Sequence, residues 1–130
     1  MVVDASVAVK WFLAEDRTNE ARALLADEDL IAPGIIRLEV AHVLWKGVRR
    51  GAMTPSALES SMDVMDQLFA GAAATDDLIA PAMQLMRRLG HPVYDCLYIA
   101  LADRVGTTLV TADERQFSAA RRARIQTVLL

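Results

Sequence analysis

The sequence predicts an α/β fold in which helices flank a small, mainly parallel β-sheet. Two observations predict it. Short apolar runs typical of buried strands alternate along the chain with longer runs of helical periodicity, and glycines and prolines stand where each run ends. No repeat, low-complexity tract or linker-like stretch divides the 130 residues, so we expect a single domain over residues 1–130.

The first half of the chain begins with a strand, because an apolar run starts at the first residue. Gly51 is the expected stop of the helix predicted at Ile35–Arg50, since glycine is favoured just beyond a helix C-terminus. The predicted elements are, in order, a strand at Met1–Asp4, a helix at Ser6–Leu13 begun by Ala5 or Ser6, a helix at Thr18–Ala26, a strand at Leu30–Ala32 stopped by Pro33-Gly34, and a helix at Ile35–Arg50.

The second half begins with a helix that has a clear start signal. Thr54 can cap free amides and Pro55 suits the first helical position. The predicted elements are that helix to about Ala70, a weak strand at Ala72–Thr75, a helix from Asp76 or Asp77 to Leu89-Gly90, a helix marked by Pro92 and Asp95 that ends near Val105-Gly106, a strand at Thr108–Thr111, a helix at Asp113–Arg122 and a strand at Ile125–Leu129.

Composition narrows the class of protein. The apolar fraction of 54% is above that of an average soluble protein, and some of the excess is expected at a subunit or partner interface. Cys96 is the single cysteine, which suits a reducing compartment, and no apolar run is long enough to cross a membrane. The net charge of −3 argues against a protein that coats nucleic acid through bulk positive charge. We therefore expect a soluble cytoplasmic protein.

Four acidic residues lie at the ends of predicted elements. Asp4 and Asp113 follow strands directly, at the edge of a parallel sheet where active sites form. Glu39 lies early in one helix and Asp95 opens another. If the fold brings these carboxylates together, they repel unless a cation joins them, and a hard divalent ion with oxygen ligands is the natural guest. Taken alone, Asp95 and Asp113 are explained as helix caps and Asp4 as a strand-end residue, so the prediction depends on the combination of the acids in one small α/β domain.

The helix at Ile35–Arg50 carries a polar stripe on an otherwise apolar surface. At about 100° per residue, one stripe contains Glu39, His42, Lys46, Arg49 and Arg50. A helix this apolar is expected to be largely enclosed, with its stripe lining a cleft. The functional interpretation is a metal-facing Glu39 with Lys46 near a phosphate. Helix stability alone is the alternative, because acids near the start and bases near the end suit the helix dipole.

Two short hydroxyl side chains stand close to the strand-end acids. Ser6 lies two residues after Asp4, and Thr111 lies two before Asp113. Either can orient a carboxylate or hold a water on a metal, and capping is the alternative for Ser6. His42 is a possible base, although a hydrogen bond within its stripe is the simpler interpretation.

At these residues the chain resembles the PIN-domain family and, within it, the VapC-type toxins of bacterial toxin–antitoxin pairs. Four segments carry the resemblance, which covers nearly the whole chain. They are Val3–Phe12, Ala32-Pro33 with Leu38–Lys46, Pro92–Ala102 and Leu109–Phe117. His42 departs from the pattern, since the family often has Asn there.

The resemblance implies a Mg²⁺- or Mn²⁺-dependent endoribonuclease with Asp4, Glu39, Asp95 and Asp113 around one or two ions. It also implies a homodimer and a cognate VapB-like antitoxin that blocks the site and carries the complex to operator DNA. Lys46, with Arg49 and Arg50, is expected to hold the RNA backbone.

Two other readings stay open. The chain could act as a PIN-type binding subunit in an antitoxin–operator DNA complex with little nuclease activity. A receiver-like or phosphatase-like site is disfavoured, because it needs a lysine after a later strand and the two lysines are Lys10 and Lys46.

Overall fold

The fold is built on a three-stranded parallel sheet in the part of the chain described by this computed structural model, residues 1–26 and 29–130. The strands β1 (Val2–Val3), β2 (Leu109–Thr111) and β3 (Thr127–Leu129) lie in sequence order across it. Val3 pairs with Val110, and Val110 pairs with Val128. The predicted α/β class with a small parallel sheet is confirmed. Because β1 and β2 run the same way, their carboxyl ends meet at one edge.

Helices connect and cover these strands. Helix α6 (Val93–Val105) is the most deeply buried of them, with an unbroken enclosed run from Cys96 to Ala102. Two helices precede Gly90 and Gly106, which have positive φ and end them as expected. None of the helices in the described chain combines the length and apolar character needed to span a bilayer. The helices are α1 (Ala5–Ala8), α2 (Thr18–Ala23), α3 (Ile36–Arg49), α4 (Pro55–Leu68), α5 (Asp76–Leu89), α6 (Val93–Val105) and α7 (Glu114–Arg122).

Two predicted helices are shorter than expected. The helix predicted at Ser6–Leu13 is α1 followed by a 3₁₀ turn at Val9–Trp11, and Asp4 caps it instead of Ala5 or Ser6. The helix predicted at Thr18–Ala26 becomes 3₁₀ at Leu24–Ala26. In both cases the final turn tightens, which is common at helix ends.

Two strand predictions are wrong, the short strand at Leu30–Ala32 and the weak one at Ala72–Thr75. In place of Leu30–Ala32 there is a single bridge from Ile31 to Val2, and in place of Ala72–Thr75 a single bridge from Ala73 to Pro33. Proline has no amide proton, so a ladder that reaches Pro33 loses a donor there. Ile31 therefore touches β1, Ala73 touches the segment that contains Pro33, and neither segment extends the sheet.

The prediction that the Ile35–Arg50 helix is largely enclosed is also wrong. α3 buries one face through Ile36, Val40 and Leu44. Its other face leaves Leu38 71% exposed and Trp45 51% exposed. α3 is therefore an amphipathic surface helix with apolar side chains on its open face as well.

Candidate active site

Asp4 is the buried acid of the site. It follows β1, caps α1 and is 3% exposed. Ser6 Oγ donates to its Oδ1 at 2.6 Å, and Thr111 Oγ1 donates to its Oδ2 at 2.5 Å. The Val7 amide donates to Oδ1 at 3.1 Å. Burial raises the pKa of Asp4 to about 6 although these bonds favour the charged form. The carboxylate is thus fixed in orientation but costly to ionise.

Asp95 lies in the first turn of α6 and is held at both its side chain and its backbone. His91 Nε2 is 2.7 Å from Asp95 Oδ2, and since a carboxylate only accepts, the proton lies on Nε2. Gln116 Nε2 donates to the Asp95 carbonyl at 3.3 Å, which ties α6 to α7. Burial raises the pKa of Asp95, the His91 contact lowers it, and the negative charge of Asp113 raises it further.

Glu39 reaches the site from α3 and is half-buried. The Tyr98 hydroxyl of α6 donates a short hydrogen bond to Glu39 Oε2. Burial raises the pKa of Glu39, the Tyr98 bond lowers it, and the charge of Asp95 raises it. Burial and the Glu39 charge also raise the pKa of Tyr98, so its hydroxyl remains a donor. One helix, α6, thus supplies Asp95 and fixes Glu39.

Asp113 is exposed and caps α7. Its Oδ1 accepts from the Arg115 amide at 2.7 Å and from the Gln116 amide at 3.0 Å. Its own amide donates to Thr111 Oγ1 at 3.0 Å. Thr111 therefore links Asp113 to Asp4, and its hydroxyl proton points to Asp4, not to Asp113.

The four acids are electrostatic neighbours. The charge of Asp95 raises the pKa of both Asp4 and Glu39, and the charge of Asp113 raises the pKa of Asp95. Within residues 1–26 and 29–130, neither Asp4 nor Glu39 has a cationic side chain within 4.0 Å. In the same ranges, no three His, Cys, Asp or Glu side chains come close enough together to hold a metal ion among them. Repulsion without local compensation makes this edge receptive to a cation.

A cleft of about 420 Å³ opens beside these acids. Glu39 and His42 line it from α3, as the stripe predicted, and Ser6 and Ala112 line it beside Asp4 and Asp113. Lys10 lies on its wall together with Glu15. The cleft thus places a lysine within the same cavity as Glu39.

The predicted basic residues lie elsewhere. Lys46, Arg49 and Arg50 are exposed toward the C-terminal end of α3. Lys46 is seven residues beyond Glu39, about 10 Å along the helix axis. These three side chains do not line the cleft.

Sequence reasoning missed four residues that shape the site: Lys10, His91, Tyr98 and Gln116. Tyr98 had a usable signal, because it stands three residues after Asp95 in the same predicted helix and hence on a neighbouring part of its surface. His91 lies just before α6, four residues before Asp95, and reaches it from there. Lys10 and Gln116 act through contacts between distant segments, which spacing alone does not indicate.

Comparison with known families and proteins agrees with the described fold. The family model described as PIN domain matches residues 1–123. The chain is similar to proteins named Ribonuclease VapC3 from two organisms. It is 30% identical to the Pyrobaculum aerophilum protein, over 88% of this chain and 90% of that protein. It is 33% identical to the Mycobacterium tuberculosis protein, over 88% of this chain and 83% of that protein.

Two solved structures share the fold. PAE2754 from Pyrobaculum aerophilum superposes with a TM-score of 0.69 at 21% identity, over 91% of this chain and 82% of that one. Mycobacterium tuberculosis VapC20, described as a sarcin–ricin loop cleaving toxin, gives a TM-score of 0.69 at 18% identity, over 91% of this chain and 93% of that one.

Proposed function

The chain belongs to the PIN-domain family, and on that premise we propose that it is a Mg²⁺- or Mn²⁺-dependent endoribonuclease, the toxin of a type II toxin–antitoxin pair. The relatives named Ribonuclease VapC3 support the activity and the toxin class. The observation that carries the proposal is the grouping of Asp4, Glu39, Asp95 and Asp113, which lie near enough to one another for their charges to interact. Glu39 lines the cleft, as do Ser6 and Ala112 near Asp4 and Asp113. We propose a single nuclease domain over residues 1–130.

The donor set fits a hard divalent cation. The four candidate ligands offer carboxylate oxygens, and no thiolate or imidazole competes as a soft ligand among them. Mg²⁺ keeps several waters and takes one or two carboxylates directly, so it does not need a closed protein cage. We propose that Asp4, Glu39, Asp95 and Asp113 hold one or two such ions, directly or through water.

The proposed reaction is hydrolysis of an RNA phosphodiester bond. A divalent cation held by these residues would supply a more acidic water and would neutralise the negative charge that develops on the phosphate and leaving-group oxygens. Ser6 and Thr111 keep both oxygens of Asp4 in fixed directions. Tyr98 fixes Glu39, and His91 fixes Asp95. The chain thus presents oriented carboxylates that need little rearrangement before reaction.

The substrate is long enough to extend beyond the cleft. We propose that Lys46, Arg49 and Arg50 contact the RNA backbone outside the cavity, because phosphate contacts position a nucleic acid without reading its sequence. His42 lies at the cleft wall between this basic group and Glu39. We propose that His42 contacts substrate and does not carry the metal.

The proposed partners are a VapB-like antitoxin and a second copy of the chain. Leu38 and Trp45 are exposed on α3, on either side of His42 at the cleft. Apolar side chains beside a charged cleft suit a protein that covers the site. Operator DNA is reached only through the antitoxin. We propose a cytoplasmic location, which the single buried thiol of Cys96 suits.

The proposal is tested with antitoxin-free protein and a panel of structured RNAs. Cleavage is followed on sequencing gels with Mg²⁺, with Mn²⁺ and after EDTA. Cleavage that needs metal, disappears with Asp95→Asn and stops when antitoxin is added supports the proposal. A well-folded protein that leaves every RNA intact, yet binds operator DNA with its antitoxin, would favour the binding-subunit alternative.

A further inference from the structure

Lys10 occupies an unusual position for a lysine. Its side chain is only 12% exposed, and it lies on the wall of the cleft that also contains Glu39 and Ser6. Ser6 in turn donates to Asp4, so Lys10 and the acids share one cavity. Lysine side chains are rarely buried without a specific partner.

The partners of Lys10 leave its charge available. Its Nζ donates to Glu15 Oε2 at 3.3 Å and to the Asp16 carbonyl at 2.8 Å. An ammonium group has three N–H donors, and the contacts within residues 1–26 and 29–130 leave one of them for a ligand in the cleft. The Glu15 side chain is 37% exposed and lines the same cleft. The amine is therefore held in place and still has a donor free for an anion.

On the basis of the proposed ribonuclease function, we propose that Lys10 binds a phosphate of the RNA within the cleft and that Glu15 competes with that phosphate for the amine. Lys46, by contrast, is exposed on α3 outside the cavity. Glu15 has a second effect, because its negative charge repels the incoming phosphate. Lys10 and Glu15 thus act in opposite directions on substrate binding.

A structural role would behave differently. If the Lys10–Glu15 pair only anchors the segment after the 3₁₀ turn, removing either partner weakens the same contact. Lys10→Gln and Glu15→Gln would then change thermal stability by similar amounts and leave RNA binding alike. If the pair had only a structural role, Lys10→Gln and Glu15→Gln would not change RNA affinity in opposite directions.

The test measures binding of a fluorescently labelled RNA stem-loop by anisotropy at several KCl concentrations. Ca²⁺ replaces Mg²⁺, and gels check that the RNA is intact. Lys10→Gln is expected to weaken binding about tenfold and to reduce the slope of log K against log [salt] by about 0.7, one single-strand phosphate contact. Glu15→Gln is expected to tighten binding several-fold, and Lys10→Arg to keep the wild-type slope.

Arg37→Gln is the matched control. Arg37 is ion-paired with Asp66 at 3.1 Å, and removing it changes the net charge as Lys10→Gln does, away from the cleft. It is expected to leave the salt slope unchanged. Wild-type cleavage with an unchanged slope in Lys10→Gln, or weaker binding in Glu15→Gln, would overturn this inference alone. A wild-type protein that neither binds nor cleaves any RNA would overturn the proposed function and this inference with it.

Discussion

Asp4 and Asp113 follow neighbouring parallel strands, yet the fold treats them in opposite ways. Asp4 is buried and both its oxygens accept hydrogen bonds from hydroxyl groups. Asp113 is exposed and accepts two backbone amides as the cap of α7. Burial raises the pKa of Asp4 to about 6, so the ionised Asp4 carboxylate destabilises the folded state. Asp113 stabilises a helix end, as an acid there normally does.

The difference between the environments of Asp4 and Asp113 indicates which acid has a functional role. A carboxylate that destabilises the folded state and still has two dedicated hydroxyl donors is expected to contribute to ligand binding. A carboxylate that caps a helix has a structural reason to be there, whatever else it does. Substitutions at the two positions should therefore separate activity from stability in different ways.

The largest expected effect is the loss of cleavage in Asp4→Asn. We expect a fall of at least about 1000-fold in kcat/KM, or about 4 kcal/mol, because the most oriented carboxylate of the site is lost. Its melting temperature without metal should match or exceed that of wild type at pH 8. Asp103→Asn, an exposed acid on the same α6 helix as Asp95, is the control and should cleave normally. A folded Asp4→Asn protein with wild-type cleavage would remove Asp4 from the site.

The second effect is a pH dependence of stability in metal-free protein. The pKa of Asp4 rises from 3.8 to about 6 on folding, so the folded chain holds this proton more tightly than the unfolded chain. Stability due to Asp4 is therefore full below about pH 4 and falls as the pH rises to 6. The loss is about 3 kcal/mol at 1.36 kcal/mol per pKa unit.

Urea denaturation with EDTA at pH 4 and pH 8 checks this sign. The quantity to compare is the difference between Asp4→Asn and wild type, which cancels the other titrating groups. The variant should gain stability relative to wild type as the pH rises. Equal pH dependence in the two proteins would mean that Asp4 is not strained by burial.

The third prediction sharpens the comparison at Asp113. Asn caps a helix about as well as Asp, whereas Ala does not and costs about 1 kcal/mol. Asp113→Asn and Asp113→Ala should both lose about 10- to 100-fold in cleavage, as expected when a group that supports the metal is removed. Only Asp113→Ala should lose stability in urea. Equal destabilisation by both variants would show that charge, and not capping, holds α7.

The smallest effect is expected at Tyr98, which fixes Glu39. Glu39 is half-buried, so its exposure lies between that of buried Asp4 and that of exposed Asp113. Tyr98→Phe removes the donor to Glu39 Oε2 while keeping the buried ring. Supporting groups of this kind change metal affinity by about 10- to 100-fold, and we expect the lower end. Mn²⁺ titration by calorimetry measures it. Wild-type Mn²⁺ affinity in Tyr98→Phe would show that the hydroxyl bond does not organise Glu39 for metal.

Much of the fold could be predicted from local signals. Thr54 and Pro55 start α4 as expected, and the Thr54 hydroxyl accepts the Ala57 amide. Strand pairing was predicted less well, because it depends on contacts between distant segments. Leu30–Ala32 has strand composition, yet only Ile31 meets β1.

In the candidate site too, features set by local signals could be predicted better than features set by contacts between distant segments. Asp4 and Asp113 could be placed from their positions after apolar runs, since parallel strands share an edge. Ser6 and Thr111 were expected to orient carboxylates, but which acid a donor meets depends on contacts between distant segments. Thr111 reaches Asp4 across 107 residues, and Tyr98 reaches Glu39 across 59. Lys46 shares a helix face with Glu39, but the cleft is completed by Lys10 from another segment.

Calorimetric titration of EDTA-stripped protein with Mn²⁺ tests the central claim most directly, in wild type, Asp4→Asn, Asp95→Asn and Asp103→Asn. The account predicts saturable binding in wild type and Asp103→Asn, and its loss in both Asp4→Asn and Asp95→Asn. Saturable binding that survives in Asp4→Asn and Asp95→Asn alike would contradict a cation shared by carboxylates from separate segments of the chain.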